Sequence, residues 1–210
     1  MEWKTKIEAI KRELATDLPG ESAHLPMSPL GRGRSSELKK KAKKFREAAV
    51  AVILFPKDDK MQIILTQRAQ YEGTHSGQIS FPGGSKEAYD EDLISTAIRE
   101  THEEIDLTLD KTQFLGTLTD VFIPVSSFAV HPQVFFHPTC PNFENNYEVV
   151  ETFWISLNEL LDEHSVSTMN VTLQNGFKLT VPCFSIRGHS IWGATAIMLN
   201  EFKLLLKNLE

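Results

Sequence analysis

The sequence predicts an α/β fold in which a mixed β-sheet is covered by helices on both faces, preceded by a helical extension. Short apolar segments at residues 48–55 and 61–67 are typical of strands, and the polar turn 57–60 separates them. Two longer segments, 90–105 and 191–207, place apolar residues at helical spacing and are predicted to be the main helices. Strands mixed with two such helices favour a sheet packed between helical layers.

The N-terminal part of the chain differs in pattern from the rest. Residues 2–16 are predicted to form an amphipathic helix, whose apolar side consists of Trp3, Ile7, Ile10 and Leu14. Residues 17–36 are rich in proline, glycine and serine and are predicted to be an irregular linker. A basic run occupies residues 39–46. The chain is therefore divided into an N-terminal helix and basic linker, 1–46, and a main domain, 47–210.

The remaining elements of the main domain are predicted from shorter patterns. Asn175-Gly176 is a strong signal for a two-residue hairpin turn of type I′. The hairpin strands are expected at 172–174 and 177–181. Residues 159–163 favour a short helical turn. Two further strands are expected near Phe114–Leu118 and Phe128–Phe136.

Composition restricts the class of protein. The chain has 210 residues and a formal net charge of −6, which argues against a general nucleic-acid binder. Within the sequence, no apolar run approaches a membrane span and no signal peptide is recognisable. Cys140 and Cys183 lack metal-ligand spacing, so we expect a reduced, cytoplasmic protein. The expected partner is a small molecule, with neither nucleic acid nor membrane, and the oligomeric state is left open.

The most informative segment is the acidic end of the first main helix. Glu100, Glu103 and Glu104 lie three and four residues apart and therefore crowd on one edge of a helix. Like charges at this spacing cost roughly 0.2–0.5 kcal/mol per pair, and Arg99 relieves only part of that cost through its i,i+4 relation to Glu103. Because Mg²⁺ and Mn²⁺ prefer carboxylate oxygens, this edge is a candidate metal site.

A glycine pair stands just upstream of this helix. Phe81-Pro82-Gly83-Gly84 allows backbone amides to approach a ligand or metal closely, because glycine has no side chain. A strand, a Gly-Gly turn, a loop and a helix edged with glutamates together predict a site for a diphosphate and a metal.

These residues resemble the signature of the Nudix hydrolases, G-x5-E-x7-R-E-U-x-E-E-x-G-U, in which U is a bulky apolar residue. Seven residues separate Glu91 from Arg99, as the signature requires, and the other three acids and Leu107 also match. Thr101 takes an apolar position of the signature and Asp106 takes its glycine. Asp tolerates the left-handed conformation, so the helix can still end there.

A second motif narrows the resemblance to the coenzyme A pyrophosphatase branch of the Nudix hydrolases. Leu65-Thr66-Gln67-Arg68-Ala69, Gly77 and Phe81-Pro82-Gly83-Gly84 follow the branch pattern L-L-T-x-R-[SA]-x3-R-x3-G-x3-F-P-G-G. The gap from Gly84 to Glu91 is one residue longer than in the general signature, which is typical of this branch. Gly73 departs from the pattern, because an arginine is expected there.

The resemblance implies a Nudix-type α/β/α sandwich and hydrolysis of a nucleotide diphosphate with Mg²⁺ or Mn²⁺. The implied metal ligands are Glu91, Glu100, Glu103 and Glu104. Glu91 either coordinates the metal through water or only favours the helix N-terminus. Arg99 is expected to orient Glu103.

The general base and the substrate contacts are left with alternatives. The base is either Glu100 or a glutamate from a later loop, where Glu148 is preferred to Glu151. Arg68 either contacts a substrate phosphate or forms a structural ion pair. The remaining residues expected to shape the substrate pocket are Gly77, Phe81, Gly83 and Gly84.

The expected reaction is hydrolysis of coenzyme A or a derivative to 3′,5′-ADP and 4′-phosphopantetheine or its acyl form. Gly73 favours the nearest alternative, a Nudix pyrophosphatase for ADP-ribose, dinucleotides or another nucleoside diphosphate derivative. A non-catalytic nucleotide sensor is the rival from another class. The basic run 39–46 either grips substrate phosphate or is a solvated lead into the first strand, and the second interpretation is favoured.

Overall fold

The computed structural model describes residues 2–16, 18–70, 75–172, 176 and 178–209. Gly73 and Asn175 therefore lie outside the described residues, and so do parts of the predicted hairpin strands. In the described part of the chain, no helix is both long enough and apolar enough to cross a membrane.

The described residues contain six α-helices and eleven strands. The helices are α1 (Glu2–Leu14), α2 (Glu21–His24), α3 (Ser35–Lys41), α4 (Leu93–Ile105), α5 (Leu157–Leu161) and α6 (Gly193–Lys207). The first six strands are β1 (Arg46–Lys57), β2 (Lys60–Arg68), β3 (Ile79–Ser80), β4 (Gly83–Ser85), β5 (Phe114–Thr117) and β6 (Val121–Ile123). The others are β7 (Phe128–Phe136), β8 (Val149–Ser156), β9 (Val166–Thr172), β10 (Lys178–Ile186) and β11 (His189–Trp192).

The main sheet is mixed, as predicted. Its path runs β3-β2-β1-β7-β5, with β4 also paired to β1, β6 to β7 and β8 to β2. The β1–β7 pair is parallel and the other pairs are antiparallel. A second, antiparallel sheet has the order β11-β10-β9.

Strand β1 explains why helices cover both faces of the sheet. Its residues from Ala48 to Phe55 are all buried, so the strand needs apolar cover on each side. Val52 and Leu54 pack in one core with α1 and α6, whereas Ile53 and Phe55 pack in a second core with α4. The predicted α/β/α arrangement is therefore confirmed.

The N-terminal extension is more ordered than the prediction of an irregular linker. The amphipathic helix forms as expected, and its Ile7, Ile10 and Leu14 enter the core beneath the sheet. The linker, however, contains α2, a 3-10 turn at Leu25–Met27 and the start of α3. These helices are short, and their stability comes from tertiary contacts that a propensity pattern does not contain.

A buried carboxylate holds this extension against the last helix. Glu201 of α6 is fully buried and accepts hydrogen bonds from the Gly20 N–H (3.0 Å), the Thr119 N–H (3.1 Å) and the Thr119 hydroxyl (2.6 Å). His24 Nε2 lies 3.1 Å from its second oxygen. Residues 181 positions apart in sequence are thus joined by one side chain.

The C-terminal half shows three further differences from the prediction. The last helix begins at Gly193, because Ile191 belongs to β11 and pairs with Phe184 of β10. Strand β8, which pairs with β2 along its whole length, was not predicted. The predicted hairpin strands are also longer than expected, since β9 starts at Val166 and β10 continues to Ile186.

Candidate active site

A cleft of about 1590 Å³ opens where α4, the start of β1 and the β9–β10 hairpin meet. Its walls carry Glu100, Glu103 and Glu104 from α4, together with Glu148 from the segment before β8. The cleft therefore collects four of the carboxylates that the sequence singled out.

Helix α4 positions three of these acids, and its two ends are set by local chemistry. Asp92 is the N-cap, and its carboxylate accepts a hydrogen bond from the Ser95 N–H at 2.6 Å. Asp106 ends the helix in the left-handed conformation, with φ of 52°. Thr101 is fully buried in the apolar stripe because its hydroxyl donates to the Ala97 carbonyl at 2.7 Å.

The glycine pair lies directly beneath these acids on β4. Gly83 donates its N–H to Glu104 Oε2 at 3.1 Å. A Cβ on Gly84 would stand 2.4 Å from Glu100 Oε2, so only a residue without a side chain leaves room for that carboxylate. The expectation that the glycines allow a close backbone approach agrees with this geometry, although the group approaching Gly84 is a side chain of the protein itself.

Glu104 is the most buried of the site acids, with 3% of its surface exposed. Arg68 Nη1 lies 3.2 Å from its Oε1. Burial raises the pKa of Glu104 to about 7, although the charge of Arg68 and the Gly83 N–H oppose this shift. A buried carboxylate with a raised pKa indicates a position where further positive charge is favourable.

Arg99 links the other two acids of the helix. Its Nη1 donates to Glu100 Oε1 at 2.8 Å and to Glu103 Oε2 at 3.1 Å. The i,i+4 contact expected from the sequence is therefore present. Burial raises the pKa of Glu100 from its ordinary value, and the charge of Arg99 opposes that shift.

Asp90 is the partner of Arg99 that sequence analysis missed. Its carboxylate accepts from Arg99 Nε at 3.0 Å and from Nη2 at 2.9 Å. It also accepts from the Thr96 hydroxyl and the Glu87 N–H. The Arg99 hydrogen bond holds the pKa of Asp90 below its usual range, against the effect of burial. The signal was present in the sequence, because Asp90 stands in the acidic run Asp90-Glu91-Asp92 just before α4.

Glu91 does not join the other carboxylates of the site. Its side chain is 81% exposed, and Lys111 Nζ lies 2.7 Å from Glu91 Oε2. Its assignment as a metal ligand stays a prediction, with no support from this geometry. Position 91 fits the signature by sequence, but position 90 makes the contact to Arg99.

Glu148 and Glu151 occupy different surroundings. Glu148 lines the cleft, and its Oε2 lies 3.5 Å from Arg68 Nη2. Its backbone carbonyl accepts from the Ala69 N–H, which anchors this segment beside the end of β2. Glu151 is exposed on β8 and does not line the cleft.

The remaining predicted pocket residues also line this cleft. Phe81 is 1% exposed and packs in the core with the face of β1 that carries Val50. Gly77 has a φ of +67°, a conformation that favours glycine, in the turn after the undescribed segment. Arg68 forms the structural ion pairs that were one of its two predicted roles, and these contacts place it between two site acids.

The donor chemistry of the site fits a hard divalent cation. Glu100, Glu103 and Glu104 supply carboxylate oxygens from one helix edge, and arginines now neutralise them. Among the described residues, no three such side chains already form a metal cage. The fit therefore rests on the identity and burial of the donors.

The comparisons with known proteins agree with this arrangement. Residues 45–174 match the family model described as the NUDIX domain. This match spans more than half of the chain, and the chain belongs to the Nudix family of hydrolases. The family membership predicted from the signature is confirmed.

Two proteins with similar sequences have names from this family. The human protein named mitochondrial coenzyme A diphosphatase NUDT8 is 34% identical over 136 residues, which are 64% of this chain and 57% of the human protein. A protein of Photorhabdus laumondii named uncharacterized Nudix hydrolase NudL is 32% identical over 160 residues, covering 74% of this chain and 82% of that protein.

A solved structure supports the fold. The crystal structure of a MutT/nudix family protein from Enterococcus faecalis superposes with a TM-score of 0.53 at 14% identity. The superposition covers 89% of this chain and 70% of that protein. The shared architecture thus extends well beyond the matched family segment.

Proposed function

We propose that this protein is a metal-dependent diphosphatase that hydrolyses coenzyme A or a derivative to 3′,5′-ADP and 4′-phosphopantetheine or its acyl form. The observation that carries the proposal is the group of α4 carboxylates packed on Gly83-Gly84 inside a large cleft. The choice of coenzyme A is supported by the branch motif and by the similarity to the human relative named above.

In this proposal Glu100, Glu103 and Glu104 hold Mg²⁺ or Mn²⁺. The bound cation would neutralise diphosphate charge and lower the pKa of a water molecule. Glu104 is preorganised by the Gly83 N–H and Arg68, so its carboxylate cannot swing freely. Arg99 is a positioning residue, because it orients Glu100 and Glu103 and is itself anchored by Asp90.

Glu148 is proposed as the general base. It lines the cleft, belongs to a different element from the three ligands, and is 42% exposed at the side chain, so water reaches it. Its ion pair with Arg68 orients it toward the same region as Glu104. Glu100 is the alternative base, since it also faces the cleft.

The test is a hydrolysis assay with coenzyme A and Mg²⁺ on the purified protein and on Glu103→Gln. Glu103 is half exposed at the side chain, so its replacement should leave the fold intact. We expect turnover to fall by at least about 10- to 100-fold, as for disruption of metal ligation. Glu151→Gln is the matched control, because it removes a nearby exposed carboxylate outside the cleft. Unchanged turnover in Glu103→Gln would contradict the ligand assignment.

The nearest alternative keeps the chemistry and changes the substrate. Gly73, in place of the branch arginine, favours ADP-ribose or a dinucleotide. Parallel assays with coenzyme A, dephospho-coenzyme A and ADP-ribose separate these substrates. Ligand binding without metal-dependent product from any of them would instead indicate a sensor.

A further inference from the structure

The end of the cleft away from the carboxylates carries two guanidinium groups, those of Arg32 and Arg46. We propose that they form a second anion subsite, which binds a phosphate monoester at the 3′ position of the ribose of the substrate. This inference rests on the proposed function, because it assumes a nucleotide whose diphosphate lies at the carboxylate end.

The register of β1 places the two ends of the cleft on one strand. Val50 pairs with Gly83, whose N–H contacts Glu104, so Val50 marks the carboxylate end. Arg46 lies four residues earlier, about 13 Å along the strand at ~3.3 Å per residue. Alternate residues of a strand share a face, and Arg46, Ala48 and Val50 all line the cleft.

The side chain of Arg46 lies over an aromatic ring and retains its hydrogen-bonding capacity. Its guanidinium carbon lies 4.1 Å from the centre of the Phe128 ring, and Phe128 pairs with Arg46 on the adjacent strand. No ion pair joins Arg46 to a carboxylate among the residues that the structure describes. A guanidinium that is held over a ring and has unused N–H groups suits bidentate recognition of a phosphate.

Arg32 reaches the same wall from the N-terminal extension. Its Nη2 donates to the Phe122 carbonyl and, at 3.3 Å, to the Ser35 hydroxyl. Burial lowers the pKa of Arg32, and the charge of Glu21 opposes that shift. The carboxylate of Glu21 accepts from Ser36 and forms no ion pair with Arg32 within the described chain. This half-buried cation is therefore not neutralised by a direct partner.

The strand order brings these two arginines together. Phe128 of β7 pairs with Ile123 of β6, next to the Phe122 carbonyl that Arg32 binds. Arg46 therefore lies beside β7, and Arg32 binds the neighbouring strand β6. A phosphate monoester carries about −1.5 to −2 charges at neutral pH, which two guanidinium groups can neutralise.

The rest of the basic run does not share this role. Lys39 pairs with Asp120 at 2.9 Å. Lys43 and Lys44 are exposed and do not line the cleft. Arg46 is the member of the run that does. The proposal therefore assigns phosphate binding to Arg46 and leaves Lys43 and Lys44 as the solvated part of the run.

The experiment compares the binding of AMP, 3′,5′-ADP and 2′,5′-ADP to the full chain with Mg²⁺ by titration calorimetry. We expect 3′,5′-ADP to bind roughly 10- to 100-fold more tightly than AMP, as a charged hydrogen-bonded pair provides. Arg46→Ala should remove this difference without weakening AMP, and Arg46→Lys should keep part of it. Lys44→Ala, which removes the same charge two residues away, should preserve it.

Three results would overturn the subsite. These are equal binding of AMP and 3′,5′-ADP by the unaltered protein, an equal loss for both ligands in Arg46→Ala, and equal binding of 2′,5′-ADP and 3′,5′-ADP. Hydrolysis is measured separately, with coenzyme A and dephospho-coenzyme A. Selective binding without hydrolysis would reject the proposed function alone, and hydrolysis without selective binding would reject the subsite alone.

Discussion

Gly84 and Glu100 occupy adjoining space, so that a single methyl group on Gly84 would stand 2.4 Å from the Glu100 carboxylate. The carboxylate is the far end of a flexible side chain and can rotate away at little cost. The glycine therefore determines where Glu100 points more than whether the protein folds.

Gly84→Ala is expected to lower turnover without greatly changing the free energy of unfolding. Displacing a catalytic group by about 1 Å can cost roughly 100-fold in rate. The measurement is kcat for coenzyme A together with urea unfolding. Glu100→Asp in the Gly84→Ala background shortens the displaced side chain and should restore part of the activity. Full activity in Gly84→Ala alone would show that the position of Glu100 is not critical.

Gly83→Ala, unlike Gly84→Ala, is expected to lower the stability of the fold. Its new Cβ would lie 2.4 Å from the Ala49 carbonyl oxygen and 2.6 Å from the Val50 Cα, and Gly83 has a φ of +152°. Backbone atoms of a central strand cannot move aside cheaply, so we expect a loss of stability of about 1–3 kcal/mol or more. Thermal unfolding measures this loss. A melting temperature equal to that of Gly84→Ala would contradict the distinction between the two glycines.

Asp90→Asn tests the anchor of Arg99. Asp90 is 3% exposed at the side chain and makes two hydrogen bonds to the guanidinium. The amide retains one acceptor but not the charge, so the expected cost is about 1–3 kcal/mol in the free energy of unfolding. Turnover should also fall, since Arg99 orients two site acids.

Glu91→Gln is the matched control for Asp90→Asn. It alters the neighbouring acid, whose exposed side chain contacts only Lys111 among the described residues. We expect no measurable change in unfolding or in turnover. A large loss of metal-dependent turnover would support the role of metal ligand that the signature suggests for Glu91.

Glu201→Gln tests how the N-terminal extension is held. An amide supplies one acceptor oxygen, whereas the Glu201 carboxylate serves donors with both oxygens. We expect the free energy of unfolding to fall by about 1–3 kcal/mol. Protease cleavage between α1 and α2 should become faster. Glu37→Gln, on the exposed face of α3, should behave like the unaltered protein.

Acid stability is expected to depend on Glu159. Burial raises the pKa of this carboxyl, but hydrogen bonds from Arg187 and Ser156 outweigh it and lower the pKa to about 2 from 4.5. Because its pKa is lowered, the carboxylate stabilises the fold at pH values above its ordinary pKa of 4.5. This contribution disappears as the pH falls from 4.5 toward 2. One third of the side chain is exposed, so solvent screening reduces the effect.

The measurement is the difference in unfolding free energy between the protein and Glu159→Gln. It should be largest near neutral pH and shrink toward about pH 2. A constant difference would place the stabilisation in the Ser156 cap instead of the charge.

The sequence determined the elements whose signals are local. Asp92 caps α4 through a contact three residues away, and Asp106 ends it through its own backbone conformation, so a single helix and its acidic edge follow from spacing alone. The burial of β1 on both faces follows in the same way from a continuous apolar run. Such features involve neighbours in the chain, whose geometry is nearly fixed once the helix or strand forms.

The tertiary structure decided which of the candidate side chains meet. Asp90 and Glu91 are adjacent in sequence, yet only Asp90 reaches Arg99, because the loop before α4 turns one toward the site and the other toward Lys111. Arg68 contacts Glu104 and Glu148, which come from separate elements. Strand β8 and the Glu201 contacts likewise depend on partners distant in sequence, and the free energy of packing that selects them is absent from any local pattern.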